Sequence, residues 1–262
     1  MSQDLHWLGV AELSRAIGAR QVSPVEIVDA LLKRIAALDG KLHAFVTLDG
    51  DAARQAARKA EAEIAAGRSI GPLHGVPVAI KDVIDVAGLP TTCQSRILLD
   101  SIPPDDAVSV ARLRRAGAIV LGKAATFEFA LGGPSFDLPF PPARNPWHLD
   151  HSTGGSSSGS GVGVAAGLFP AALGTDTGGS VRNPSSACGI VGLKPTYGRV
   201  SRRGVFPLSF TMDHVGPMAR RVADVAMILQ TIEGYDAEDP GSARPPPVDR
   251  ATAAPDAPLQ GL

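Results

Sequence analysis

Gly75-Val-Pro-Val-Ala-Ile-Lys81-Asp82 is the stretch from which the fold of this 262-residue chain can be read. Val76, Val78, Ala79 and Ile80 form a short apolar run after a glycine, the pattern of a strand buried on both faces. Lys81 then emerges at the carboxyl end of that strand, which in α/β sheets is the end where sites lie. Burial there would strip the amine of water. That lowers a lysine pKa by up to about 3 to 5 units from its free value near 10.4, enough to leave a neutral base at pH 7.

Downstream stand two serine-bearing glycine clusters, Gly154-Gly-Ser156-Ser-Ser-Gly159 and Gly174-Thr-Asp-Thr-Gly-Gly-Ser180-Val-Arg182. Ala171 to Gly174 reads as a second buried strand, followed by a glycine-rich turn. The N–H groups of Thr177, Gly178 and Gly179 are candidate oxyanion donors, a role in which losing one donor typically costs roughly 2.7 to 4 kcal/mol. Ser180 beside them is the candidate nucleophile. A serine hydroxyl needs a base within hydrogen-bond reach. No histidine-carboxylate pairing stands near either cluster, so the base falls to Lys81.

On these residues the chain resembles the amidase signature family, whose members carry a lysine, a bridging serine held by a cis peptide bond and a nucleophilic serine. The separations, 75 residues from Lys81 to Ser156 and 24 from Ser156 to Ser180, match the family. The resemblance implies Ser180 as nucleophile, Ser156 as proton-relaying bridge after a cis Gly155–Ser156 bond, and Lys81 as ultimate base. It also places Ala130 and Leu131 beside the substrate pocket. Cys188 to Arg199, Asp213 to Pro217 and Arg144 to Trp147 look like family sequence too, and the likeness runs from about residue 8 to about residue 240. Two departures stand out. Thr153 and Ser158 replace the usual proline and glycine of the first cluster, and family members are nearly twice as long. The chain is therefore expected to be the N-terminal, signature-bearing portion of a longer member.

The implied activity is hydrolysis of a carboxylic amide to the acid and ammonia or an amine, through an acyl-enzyme on Ser180, with no cofactor and no metal. One alternative is the glutaminase subunit of a tRNA-dependent amidotransferase, although Glu128 to Arg144 looks more like free-standing amidases. Another is an inactive fragment. Gly155 to Gly159 also fits a nucleophile elbow built on Ser157, but the polar stretch Asn145 to Thr153 supplies no preceding strand. Gly161-Val-Gly163 is a weak dinucleotide fingerprint for the same reason. Read alone, either cluster is only a tight loop and helix cap. Asp176 and Arg182 are expected to pair and brace the loop, and Asp82 either orients the base or caps a helix.

Composition narrows the partners. Lys and Arg total 25 against 26 Asp and Glu, so no basic field recruits nucleic acid or an anionic membrane. The expected partner is a small-molecule amide, with no direct nucleic acid and no membrane, and a homodimer is left open. Cys93 and Cys188 show no metal spacing, the start lacks a signal-like segment, and the cytosol is the expected compartment. The longest apolar stretch, Val162 to Leu173, is too short to span a bilayer.

Along the chain, Ser23-Pro-Val-Glu26 is a capping box with proline at the first helical position. Val28, Leu31, Leu32, Ile35 and Leu38 continue it at helical spacing. Strands are expected over 42–48, 76–80, 118–121 and 171–174, and helices over 51–66, 108–116, 157–166 and 222–233. Alternation of this kind implies an α/β fold with a mixed, mostly parallel central sheet flanked by helices. The expected division is a signature domain over 1–240 and a proline-rich, disordered tail over 241–262.

Overall fold

The two central strands in the computed structural model, which describes residues 4–244, carry the burial their apolar sequences dictate. In chain order the main elements are α1 (Val10–Gly18), α2 (Pro24–Leu42), β1 (Phe45–Leu48), α3 (Gly50–Ala65), β2 (Pro77–Lys81), α4 (Val108–Arg115) and β3 (Ile119–Ala124). They continue with α5 (Ser158–Ala165), β4 (Ala171–Asp176), α6 (Arg182–Cys188), β5 (Val191–Gly192), β6 (His214–Ala219) and α7 (Val222–Ile232). The capping box opens α2 as expected: Ser23 Oγ accepts from Val25 N at 2.9 Å, and Ser23 N donates to Glu26 Oε2 at 2.9 Å. Such a cap contributes about 1 kcal/mol.

The strands form one six-stranded mixed sheet in the order β1-β3-β2-β4-β6-β5. Parallel pairing is confined to its centre, where β2 runs parallel to both β3 and β4. The flanking β1, β6 and β5 join antiparallel. All five residues of β2 and all six of β4 are buried, because neighbours cover both edges and helices cover the faces.

α5 lies buried against this sheet, and its glycines explain how close it comes. A Cβ on Gly159 would sit 2.2 Å from Ala44 O and 2.3 Å from Ala125 N, and one on Gly163 would sit 2.0 Å from the Phe169 ring. Only hydrogen fits at either place. Between the 3-10 turn Glu128–Ala130 and α5, residues 132–150 hold no helix or strand. Four residues of the expected tail, 241–244, are among those described, and they are tied down: Gly241 N donates to Asp239 Oδ1 at 2.9 Å and Ala243 N to Gly198 O at 2.9 Å. The rest of that tail lies outside the described residues. Among the described residues, no helix is long and apolar enough to cross a membrane.

Candidate active site

β2 ends on Lys81, whose side chain is fully shielded from solvent. Its Nζ lies 2.7 Å from Ser156 Oγ and 2.7 Å from Thr175 Oγ1. Burial lowers the amine from 10.5 to about 7, against the opposing pull of Asp176, Cys93 and Asp213. The lysine thus titrates near neutrality while held between two hydroxyls.

The first serine cluster bends over this amine. The Gly155–Ser156 peptide bond is cis. Ser156 is buried, and its carbonyl accepts from Phe127 N at 3.1 Å and from Ser158 N at 2.8 Å. Ser157, at the head of α5, accepts from Thr175 N and donates to Thr175 O, both at 3.2 Å, which stitches α5 to the end of β4. Ser158 Oγ donates to Ala125 O at 3.4 Å. Neither hydroxyl faces Lys81 in these contacts. The absence of a strand before Ser157 removes the nucleophile-elbow reading, and Gly161 and Gly163 lie inside α5.

The second cluster meets the first through the main chain, where Ser157 N donates to Ser180 O at 3.2 Å. Ser180 is half-buried, and its hydroxyl has no hydrogen-bond partner among the described residues. Asp176 sets the shape of its loop. Oδ1 accepts from Gly179 N at 2.9 Å, and Oδ2 from Val181 N at 3.1 Å and Arg182 N at 3.3 Å. The Arg182 guanidinium closes a fork on both oxygens at 3.0 and 2.9 Å. Burial pushes the Asp176 carboxyl up, but the Arg182 charge and these N–H donors outweigh it and hold the group below the usual range. The expected Asp176–Arg182 pair is thus in place.

Among the three candidate oxyanion donors the geometry discriminates. Gly179 N–H is already committed to Asp176, which takes it out of the expected set in this conformation. The N–H groups of Thr177 and Gly178 have no partner among the described residues, and a Cβ on Gly178 would meet nothing within 4 Å, so open space lies beside it. Thr177 Oγ1 is anchored on Asp213 Oδ1 at 2.5 Å. Ala130 ends a short 3-10 turn, Glu128–Ala130, that follows Phe127, so the Phe127 bond to Ser156 ties its segment to the bridge.

Asp82 neither caps a helix nor hydrogen-bonds to Lys81. It forms a fully buried ion pair with Lys123 of β3, Oδ1 to Nζ 3.1 Å. Thr175, the second partner of Lys81, and this ion pair escaped the sequence reading. The signal for Thr175 was present, a hydroxyl at the carboxyl end of the strand parallel to β2. The ion pair had no local signal, since its partners are 41 residues apart, one in the turn after β2 and the other on β3.

A mixed α/β sheet that presents a buried lysine to a serine-rich turn is the architecture the motifs led one to expect of an amidase. The amidase family model matches residues 26–261, and the chain belongs to that family. It is 49% identical over 245 residues to a glutamyl-tRNA(Gln) amidotransferase subunit from Anaeromyxobacter sp. strain K, an alignment that covers 94% of this chain and 50% of that protein. The native peptide amidase of Stenotrophomonas maltophilia superposes with a TM-score of 0.84 at 40% identity, covering 92% of this chain and 50% of the other. A chain from a vestigial protein complex bearing on the origins of an s-triazine catabolic enzyme superposes with a TM-score of 0.87 at 38% identity, over 90% of this chain and 52% of that one. The chain spans about half the length of the curated relatives it matches.

Proposed function

We propose that this chain carries the reactive centre of a serine-dependent amide hydrolase. The observation that carries this reading is Lys81 Nζ at 2.7 Å from Ser156 Oγ, in a setting that brings the amine to about 7. Neutral Lys81 accepts the Ser156 hydroxyl proton as Ser156 Oγ takes the proton of Ser180. Ser180 Oγ then bonds to the amide carbonyl carbon, and the N–H groups of Thr177 and Gly178 receive the developing oxyanion. The proton returns along the same path to the leaving nitrogen, the C–N bond breaks, and ammonia or an amine departs. Water, losing its proton to the relay, hydrolyses the ester on Ser180 to the acid.

A second reading has support of its own, since the curated relative from Anaeromyxobacter belongs to a glutamyl-tRNA(Gln) amidotransferase. The serine chemistry would be the same with glutamine as amide donor, and the ammonia would pass to a partner. The test is reaction of the purified chain with a fluorophosphonate serine probe. Labelling is expected in the unaltered chain, lost in Ser180→Ala and slowed in Lys81→Ala. A folded chain that takes no label refutes the proposal and leaves an inactive fragment. Release of ammonia from glutamine, in preference to other amides, would favour the second reading.

A further inference from the structure

Six non-glycine residues among those described have left-handed backbone, a conformation side chains rarely tolerate, and four of them form two consecutive pairs. Cys93 and Gln94 have φ of 50° and 56°, and Phe129 and Ala130 have φ of 49° and 62°. The two pairs lie on different loops, yet they are bonded to each other. Phe129 N donates to Cys93 O at 3.0 Å, and Thr126 N donates to the side chain of Gln94 at Oε1, 2.8 Å. Gln94 is 2% exposed, so this amide oxygen is a buried acceptor matched to one backbone donor.

The loop bearing Cys93 and Gln94 hangs on the buried ion pair. Asp82 accepts from Thr92 N at 3.3 Å, from Thr92 Oγ1 and from Gln94 N at 3.4 Å, and its carbonyl accepts from Cys93 N at 3.0 Å. Lys123 Nζ donates to Thr91 Oγ1 at 2.7 Å and Pro90 O at 3.2 Å. On the far side, Phe127 N donates to Ser156 O, and the Phe127 ring lies so close over Gly155 that a Cβ there would come within 2.2 Å. A closed circuit results. It runs from Lys81 to the adjoining Asp82, through the Cys93–Gln94 turn to the Phe127–Ala130 turn, on to Ser156, and back to Lys81 through the Ser156 hydroxyl.

We infer that Asp82 and Gln94 are positioning residues for the reaction: they hold the 127–130 turn against the bridging serine, and so fix Ser156 relative to Lys81. The inference rests on the proposed amide-hydrolase reading for its functional part. Buried ion pairs usually contribute little net stability, because losing water offsets the attraction, so a role in fixing geometry accounts better for this one. Displacing a reacting group by about 1 Å can cost roughly a hundredfold in rate.

The test compares the 262-residue chain with Gln94→Met and Asp82→Asn in two measurements: amide hydrogen exchange over residues 126–130, and fluorophosphonate labelling rate against pH. In Gln94→Met, exchange over 126–130 is expected to quicken at least about tenfold while β2 and β4 stay protected. Labelling is expected to slow by roughly ten- to a hundredfold, with the midpoint of its pH profile unmoved because the base itself is untouched. Asp82→Asn should act in the same direction. If it fails to fold, Gln94→Met still decides, because that variant retains the ion pair. Unchanged exchange over 126–130 overturns the coupling. Faster exchange with labelling at the original rate, or with a displaced midpoint, overturns the positioning role. An unaltered chain that takes no label refutes the amide-hydrolase reading instead, and the exchange result then supports or overturns the coupling by itself.

Discussion

Replacing Lys81 by methionine should change how the stability of the fold depends on pH, and the size of that change follows from burial. The amine falls from 10.5 to about 7 on folding, which corresponds to about 5 kcal/mol at about 1.4 kcal/mol per pH unit. Below pH 7 the lysine is protonated in both folded and unfolded chains, and the cost of burying its charge is present in full. Between 7 and 10.5 the unfolded chain holds a proton that the folded chain has released, so stability rises with pH. Subtracting the Lys81→Met unfolding free energy from that of the unaltered chain removes every other titration and leaves a constant offset for the lost bonds to Ser156 and Thr175. The difference should shift in favour of the lysine by about 2 to 3 kcal/mol between pH 6.5 and pH 9. Urea unfolding at five or six pH values measures it. A flat difference across that range refutes the argument, since it would mean that Lys81 keeps its ordinary affinity for the proton and cannot serve as a neutral base.

Three further perturbations test the surroundings of the site. Thr175→Val removes one of the two hydroxyls on Lys81 Nζ while keeping the side-chain shape. The labelling rate should fall about five- to tenfold, the equivalent of one hydrogen bond, and urea unfolding should show a loss of about 1 to 3 kcal/mol, because a buried donor loses a partner. Lys123→Met leaves Asp82 buried without its counter-charge and should cost about 3 to 5 kcal/mol in urea unfolding. Gly159→Ala drives a Cβ into the backbone of Ala44 and Ala125, and a loss of at least about 1 to 3 kcal/mol is expected, seen as a lower melting temperature.

What could be read from the sequence was whatever is encoded locally. α2 announces itself because its cap, its proline and its apolar stripe all lie within one segment. Lys81, Ser180 and the 154–159 cluster stood out because each sits in a short motif of unusual composition, and the resemblance to the amidase signature family then singled out Ser156. α1 gave no such notice. Its N-terminus is partly satisfied by Asp224 of α7, whose Oδ1 accepts from Ala11 N at 2.8 Å across 213 residues of sequence. β6 was hidden by Gly216 and Pro217, residues that argue against a strand inside a sheet, yet the strand is paired on both sides. Pro217 still contributes there through its carbonyl, which accepts from Leu193 N. The bond from Gly179 N–H to Asp176 was likewise out of reach, because it depends on which way the carboxylate turns.

The carboxylate of Asp176 bears on when the loop that carries Ser180 is ordered. Three backbone amides and one guanidinium converge on a single side chain, so the segment from Thr177 to Arg182 takes its shape as the chain folds. Fixing a residue's backbone costs about 1 to 2 kcal/mol of conformational entropy, and a loop of this length left loose would have to meet that cost each time a ligand arrived. Here it is met once, in the lifetime of the folded chain, and a ligand reaching Ser180 encounters a loop whose shape is already set.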